Sequence, residues 1–222
     1  MARQPRRRRR VIRMDVVVVA IDSNHEPVTK AAFDYRQQYV YPYLEEKGFT
    51  LARYQGPLAR RFYVAPEARK PNVDYLTGVG HGSDDTYTGD YSDQIFRIGN
   101  YNQEESQRKI VHFLSCQTAR TLGPDFVAHR CRAYFGYDEN FTFYMPQASI
   151  FFECDSEIDR AFADGLTAEQ VYDRVKALYD QCIAELHAAG KLYVAAALEF
   201  NRDHLRAPSS GAQWGDRQAR LE

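Results

Sequence analysis

The sequence predicts an α/β fold, a three-layer arrangement with a mostly parallel central sheet and helices on both faces. Two observations carry that reading. Residues 14–21 (MDVVVVAI) and 110–114 (IVHFL) are short, nearly continuous apolar runs, as strands buried on both faces must be. Segments with helical spacing fall between and after such runs, and strands alternating with helices assemble into a parallel sheet. At 222 residues the chain is long enough to bury a substantial core as one domain.

The first strand, 14–21, ends in the turn residues Asp22, Ser23 and Asn24. A helix follows over 30–47, with Phe33, Val40 and Leu44 at helical spacing, kinked or shortened by Pro42 and stopped at Gly48. Residues 49–54 read as a second strand, 58–69 as a weakly patterned helix or loop, and 73–79 (VDYLTGV) as a third strand running into Gly80-His81-Gly82. Residues 84–99, rich in Asp, Gly, Tyr and Thr, suggest a hairpin excursion. The fourth strand, 110–114, leads to Ser115-Cys116; a helix over 121–130 and a fifth strand over 131–137 follow. Two helices come next, over 150–164 and 168–189. The second carries the stripe Val171, Val175, Leu178, Cys182 and Leu186, a Thr167/Gln170 capping box and a terminating Gly190. Residues 192–200 fit a sixth strand or another helix. The domain thus spans 15–206, between a basic tail at 1–14 and a loose polar tail at 207–222.

Net charge is −1, from 29 Lys+Arg against 30 Asp+Glu, but the charges are unevenly placed. Residues 1–14 hold seven Arg and no acid; removing those seven leaves 22 basic against 30 acidic residues. An acidic body argues against nucleic acid as the partner of the folded domain. The Arg-rich segment reads as a solvated tail, with nucleic-acid contact, nuclear targeting or docking on the acidic body as alternatives. No apolar run approaches the ~20 residues of a membrane span, and no secretory segment follows the basic start. Cys116, Cys131, Cys154 and Cys182 show no C-x-x-C spacing, so they read as reduced thiols of a cytoplasmic protein rather than metal ligands. Cys131 and Cys182 belong to the core.

In a parallel sheet, ligands gather at the carboxyl ends of the strands. His81 ends the third strand and Cys116 the fourth. With neighbouring strands ~4.8 Å apart, the two would share one rim. An imidazole there can assist a thiolate nucleophile and protonate a leaving amine. The glycines beside His81 allow close backbone approach and free an N–H to face an oxyanion. The helix after Cys116 is expected to lower the thiol pKa. His112 lies inside the fourth strand on the same face as Cys116 and reads as a packed residue; His129 and His187 fall on helices as surface or boundary residues.

The segment YLTGVGHG (75–82) resembles the apolar-strand-then-GHG element of caspase-like cysteine peptidases, a group holding caspases, metacaspases, gingipains, clostripain and CHAT domains. VHFLSCQT (111–118) is similar to their strand ending at the nucleophile, and FVAHRCRAYFGY (126–137) to the helix and strand that follow. The order of elements fits over roughly 15–200. The resemblance implies a caspase-like three-layer sandwich, a thiol endopeptidase with His81 and Cys116 as the catalytic pair, and an oxyanion hole formed by the backbone N–H groups of Gly82 and Cys116, with no cofactor or metal. Its partners would be protein or peptide substrates, with room for a regulatory protein. The sequence departs from the pattern in several places. The 35-residue His–Cys interval is short for a caspase and the caspase pentapeptide is absent. Leu114 stands where metacaspases carry an acid, and CHAT domains usually have one more residue between the Ser and the Cys than Ser115-Cys116 shows.

The resemblance places the primary specificity pocket among the loops after the first strand, around the cysteine and after the fifth strand. Asp22 and Asp138 (followed by Glu139) occupy the first and third of these, which favours a basic P1 residue. The Arg-rich tail would then be a self-cleavage or occluding segment. Two other readings compete. One is a catalytically silent scaffold of the same fold. The other is a metal-dependent hydrolase using His81, Asp84 and Asp85, with Asp22 and His25 nearby, although spacing gives it little support.

Overall fold

The computed structural model describes residues 16–221; the Arg-rich segment 1–14 lies outside the described residues. The first strand, β1 (Val17–Asp22), is buried along its whole length. Val16, Val18 and Ala20 enter one core, and Val17, Val19 and Ile21 the other. Strict alternation into two cores is why the run reads as continuously apolar rather than amphipathic.

The chain leaves β1 through α1 (Pro27–Tyr39) and α2 (Tyr41–Glu46). Pro42 sits in the first turn of α2, where its missing N–H has no helical partner to lose, so the helix expected over 30–47 divides at Val40. Next come β2 (Thr50–Gln55), α3 (Arg61–Ala68) and β3 (Val73–Val79). The excursion is a small antiparallel sheet of β4 (Gly82–Ser83), β5 (Thr86–Thr88) and β6 (Gln94–Arg97). The main sheet then resumes with β7 (Ile110–Leu114), α4 (Leu122–Ala128) and β8 (Ala133–Tyr137). Three helices complete the chain: α5 (Ala148–Ala163), α6 (Ala168–Ala188) and α7 (Leu192–His204), followed by the short β9 (Leu205–Arg206). Thr167 and Gln170 cap α6 reciprocally, as expected. Residues 192–200, open between strand and helix, lie in α7.

The central sheet has the order β2-β1-β3-β7-β8-β9, parallel except for β9 against β8. Residues of α1, α2, α5, α6 and α7 fill one core. The other holds α3, α4 and the small sheet, with Tyr87, Ile95 and Phe96 packed on Phe113 and Phe126. Helices therefore cover both faces. The chain moves outward in opposite directions from the β1/β3 boundary, and a sheet that does so opens a crevice at the carboxyl ends of those strands. Among the described residues, no helix is long and apolar enough to cross a membrane, and all four cysteines are free thiols.

Residues 207–221 correct the expectation of a loose tail. Trp214 is buried in the second core and its indole N–H donates to the Ala119 carbonyl at 2.8 Å. Gly215 bridges Ala133, the Ala168 N–H donates to the Ala219 carbonyl, and Leu221 packs into the first core. Two short 3-10 turns carry the segment, and such turns leave no periodic apolar pattern to read. Replacing Trp214 with Ala is expected to cost about 3 kcal/mol of folding stability, measured by urea unfolding followed by circular dichroism; a loss under ~0.5 kcal/mol, the range of ordinary surface changes, would show that the segment contributes nothing.

Candidate functional site

The site is set by strand register. β3 and β7 pair in parallel with Val79 opposite Leu114, and the Gly80 N–H continues the ladder to the Leu114 carbonyl at 3.2 Å. Two residues beyond that pair on each strand stand His81 and Cys116, side by side on one rim and on the same face. Both line a single cleft of about 50 Å³, together with Val28 and Ala32 of α1 and Phe143 from the loop after β8. Glycine is required for this approach. A methyl group at Gly82 would collide with the Cys116 carbonyl oxygen and the Thr118 side chain, and one at Gly80 with the Thr88 carbonyl. The main chains of Gly82 and Cys116, the expected oxyanion pair, are thus in direct contact.

The His81 imidazole is 44% exposed and its Nε2 meets the Glu26 carboxylate. Sequence reasoning missed Glu26. It is the N-cap residue of α1, ahead of Pro27 in the first turn, and it follows the end of β1, the other strand flanking β3. An acid just beyond that strand is the signal that could have found it, once β1 is known to neighbour β3. Glu26, His81 and Cys116 therefore lie beyond the carboxyl ends of three adjacent strands.

Cys116 is half-buried, and burial pushes its thiol pKa up; the Phe141 N–H, which donates to the sulfur, acts in the opposite direction. This differs from the expectation of a thiol acidified by the following helix: α4 begins six residues later and is only seven residues long. The sulfur and the imidazole are not hydrogen-bonded to each other; Phe141 holds one and Glu26 the other. Gln117, directly after the cysteine, has left-handed backbone (φ 62°), and its N–H donates to the Glu139 carbonyl at 3.1 Å. A non-glycine residue held in that region stores strain in the turn that presents the sulfur.

The other expected site residues are elsewhere. Asp22 is fully buried and accepts from the Tyr41 hydroxyl, Gln55 and the Val79 N–H, 3.4 Å from the Arg36 guanidinium. Asp138 is held by Arg206 at 2.6 Å and His204 at 2.8 Å. Neither carboxylate lines the cleft, so the acids on which a basic P1 preference rested are committed to the protein's own cations. His81, Asp84 and Asp85 do not converge either: Asp84 pairs with Arg120, and Asp85 accepts from Ser83 and Thr86. Among the described residues no group of three or more His, Cys, Asp and Glu could hold a metal.

One layer beneath the cleft lies a buried ionic web that the sequence did not announce. Arg36 of α1 reaches Asp159 of α5 at 2.9 Å, Thr77 of β3 at 2.7 Å and Tyr41 at 3.1 Å. Asp159 also accepts from Tyr75 and Thr77. His112 of β7 stands 3.2 Å from both Asp155 and Asp159. It is packed, as expected of a strand residue, but between carboxylates. Burial disfavours its charge, yet the two aspartates outweigh burial and push its pKa up to about 9. For Asp159, burial is outweighed by Arg36 and His112, which hold its carboxyl well below the usual range.

The chain was compared with protein-family models and with curated proteins, and it matches none of them.

His112 makes stability pH-dependent in a known direction. Its folded-state value lies above the ordinary 6.5, so its contribution is complete below that pH and disappears as pH rises through about 9. Urea unfolding should therefore lose on the order of 3 kcal/mol between neutral and alkaline pH. The variant His112→Gln should show a flat profile across that window; an unchanged slope would assign the loss to other groups.

Proposed function

We propose that the chain is a cysteine endopeptidase of caspase-like architecture that cleaves peptide bonds through Cys116 and His81. The observation that carries this reading is the register of β3 and β7, which sets an imidazole and a thiol side by side over one cleft at the carboxyl rim of a parallel sheet. The chemistry balances without a cofactor. The Cys116 sulfur bonds to the scissile carbonyl carbon as its proton passes to His81; the C–N bond breaks and His81 gives that proton to the leaving amine. Water, deprotonated by the same imidazole, then hydrolyses the thioester and restores the thiol. Because burial favours the neutral thiol, proton removal by His81 accompanies attack instead of preceding it. Backbone N–H groups at Gly82 and Cys116 would receive the negative charge that develops on the carbonyl oxygen. Glu26 is a positioning residue, orienting the imidazole from the side away from the substrate.

A second reading, a catalytically silent interaction domain of the same fold, draws on the raised thiol pKa and the missing Cys116–His81 hydrogen bond. Activity separates the two. Cys116→Ala is expected to abolish hydrolysis of a peptide library while Cys182→Ala, altering a thiol on α6, retains it. His81→Ala should lower kcat by ~10²–10⁴-fold. Glu26→Gln should lower kcat with little change in KM, as for a residue acting through the imidazole. Full activity in Cys116→Ala would exclude the thiol mechanism.

A further inference from the structure

We infer that the pocket beside the catalytic pair selects an apolar P1 side chain, small and aliphatic, over a charged one; the inference rests on the peptidase reading and names its substrate class. The cleft is lined by His81 and Cys116 themselves and lies between α1, the ends of β3 and β7, and the loop after β8. Its walls are hydrocarbon: Val28, Ala32, Val79, Leu114, Phe143 and Phe152. Two of these residues, Phe143 and Phe152, meet edge to face with centroids 4.8 Å apart.

The polar groups on the wall are already occupied. The Thr29 hydroxyl donates to the Glu26 carbonyl at 3.4 Å, and the Ser115 hydroxyl pairs with that of Thr118 at 2.8 Å. The charged side chains below or beside the cleft are already paired: Glu26 with His81, Asp22 with Arg36, Arg36 with Asp159, and Asp138 with Arg206. A P1 Arg or Lys would lose its water without gaining a carboxylate, and a P1 Asp would find no free cation; both are costly. An aliphatic side chain loses nothing on entry, and each methylene it buries favours binding. The volume of about 50 Å³ admits a few carbon atoms and no large ring.

The test uses the full chain and five peptidyl acyloxymethyl ketones identical except for Val, Leu, Phe, Arg or Asp at P1. Labelling rates are measured and the modified residue is located by mass spectrometry, with Cys116→Ala as control. The expected result is modification at Cys116, faster with Val or Leu than with Arg or Asp by on the order of 100-fold. The Phe143→Ala variant, with one wall removed, should raise the rate of a P1 Phe probe relative to the P1 Val probe by ~10-fold or more. Faster labelling of Cys116 by the Arg or Asp probe would overturn the pocket assignment and leave the peptidase reading standing. Failure of every probe to label Cys116 would overturn the peptidase reading, and the pocket assignment with it.

Discussion

The parallel pairing of β3 with β7 is the constraint from which the candidate site follows. Strand ends diverge unless something holds them, and here the ladder runs to its last residues, Val79 opposite Leu114 and the Gly80 N–H on the Leu114 carbonyl. Beyond that point the close approach is kept by an absence of atoms, since any side chain at Gly82 would strike the Cys116 main chain. A shift of one residue in register would turn either His81 or Cys116 to the opposite face. The fold defends the register from below. Arg36, Asp159, Thr77 and His112 join α1, α5, β3 and β7 in one buried cluster, with Thr77 and His112 four residues before His81 and Cys116.

That cluster illustrates a trade between stability and definition. Buried charges are expensive to desolvate, and an apolar set of the same shape is often as stable. What the ionic web adds is direction. Arg36 bonds α1 to Thr77 of β3 and Asp159 of α5, and α1 supplies both Glu26 at its N-cap and part of the cleft wall. The position of the imidazole's partner is thereby tied to the core.

Much of the fold was legible because its signals are local. The run at 14–21, the strands Val73–Val79 and Ile110–Leu114, and the capped helix α6 are patterns contained within a few residues. His81 and Cys116 were legible because each follows such a strand. The remainder depends on partners distant in the chain. On α1 the buried face is Thr29, Ala32 and Arg36, whereas Phe33, chosen from hydrophobic spacing, is only partly covered. Nothing near Arg36 reveals that its carboxylate lies 123 residues away. The partners of Asp22 and Asp138 were not legible, because the Tyr41, Arg36 and Arg206 groups that hold them arrive from other elements.

The indole of Trp214 donates to the carbonyl of Ala119, three residues past the cysteine. This ties the completion of the loop that carries Cys116 to a part of the polypeptide synthesised almost a hundred residues afterwards. While the nascent chain is still emerging, the sheet and its histidine can assemble, but the sulfur-bearing turn lacks its brace until residue 214 has cleared the ribosome. The turn that carries Cys116 is thus completed late in the chain's synthesis, after the strand that leads to His81.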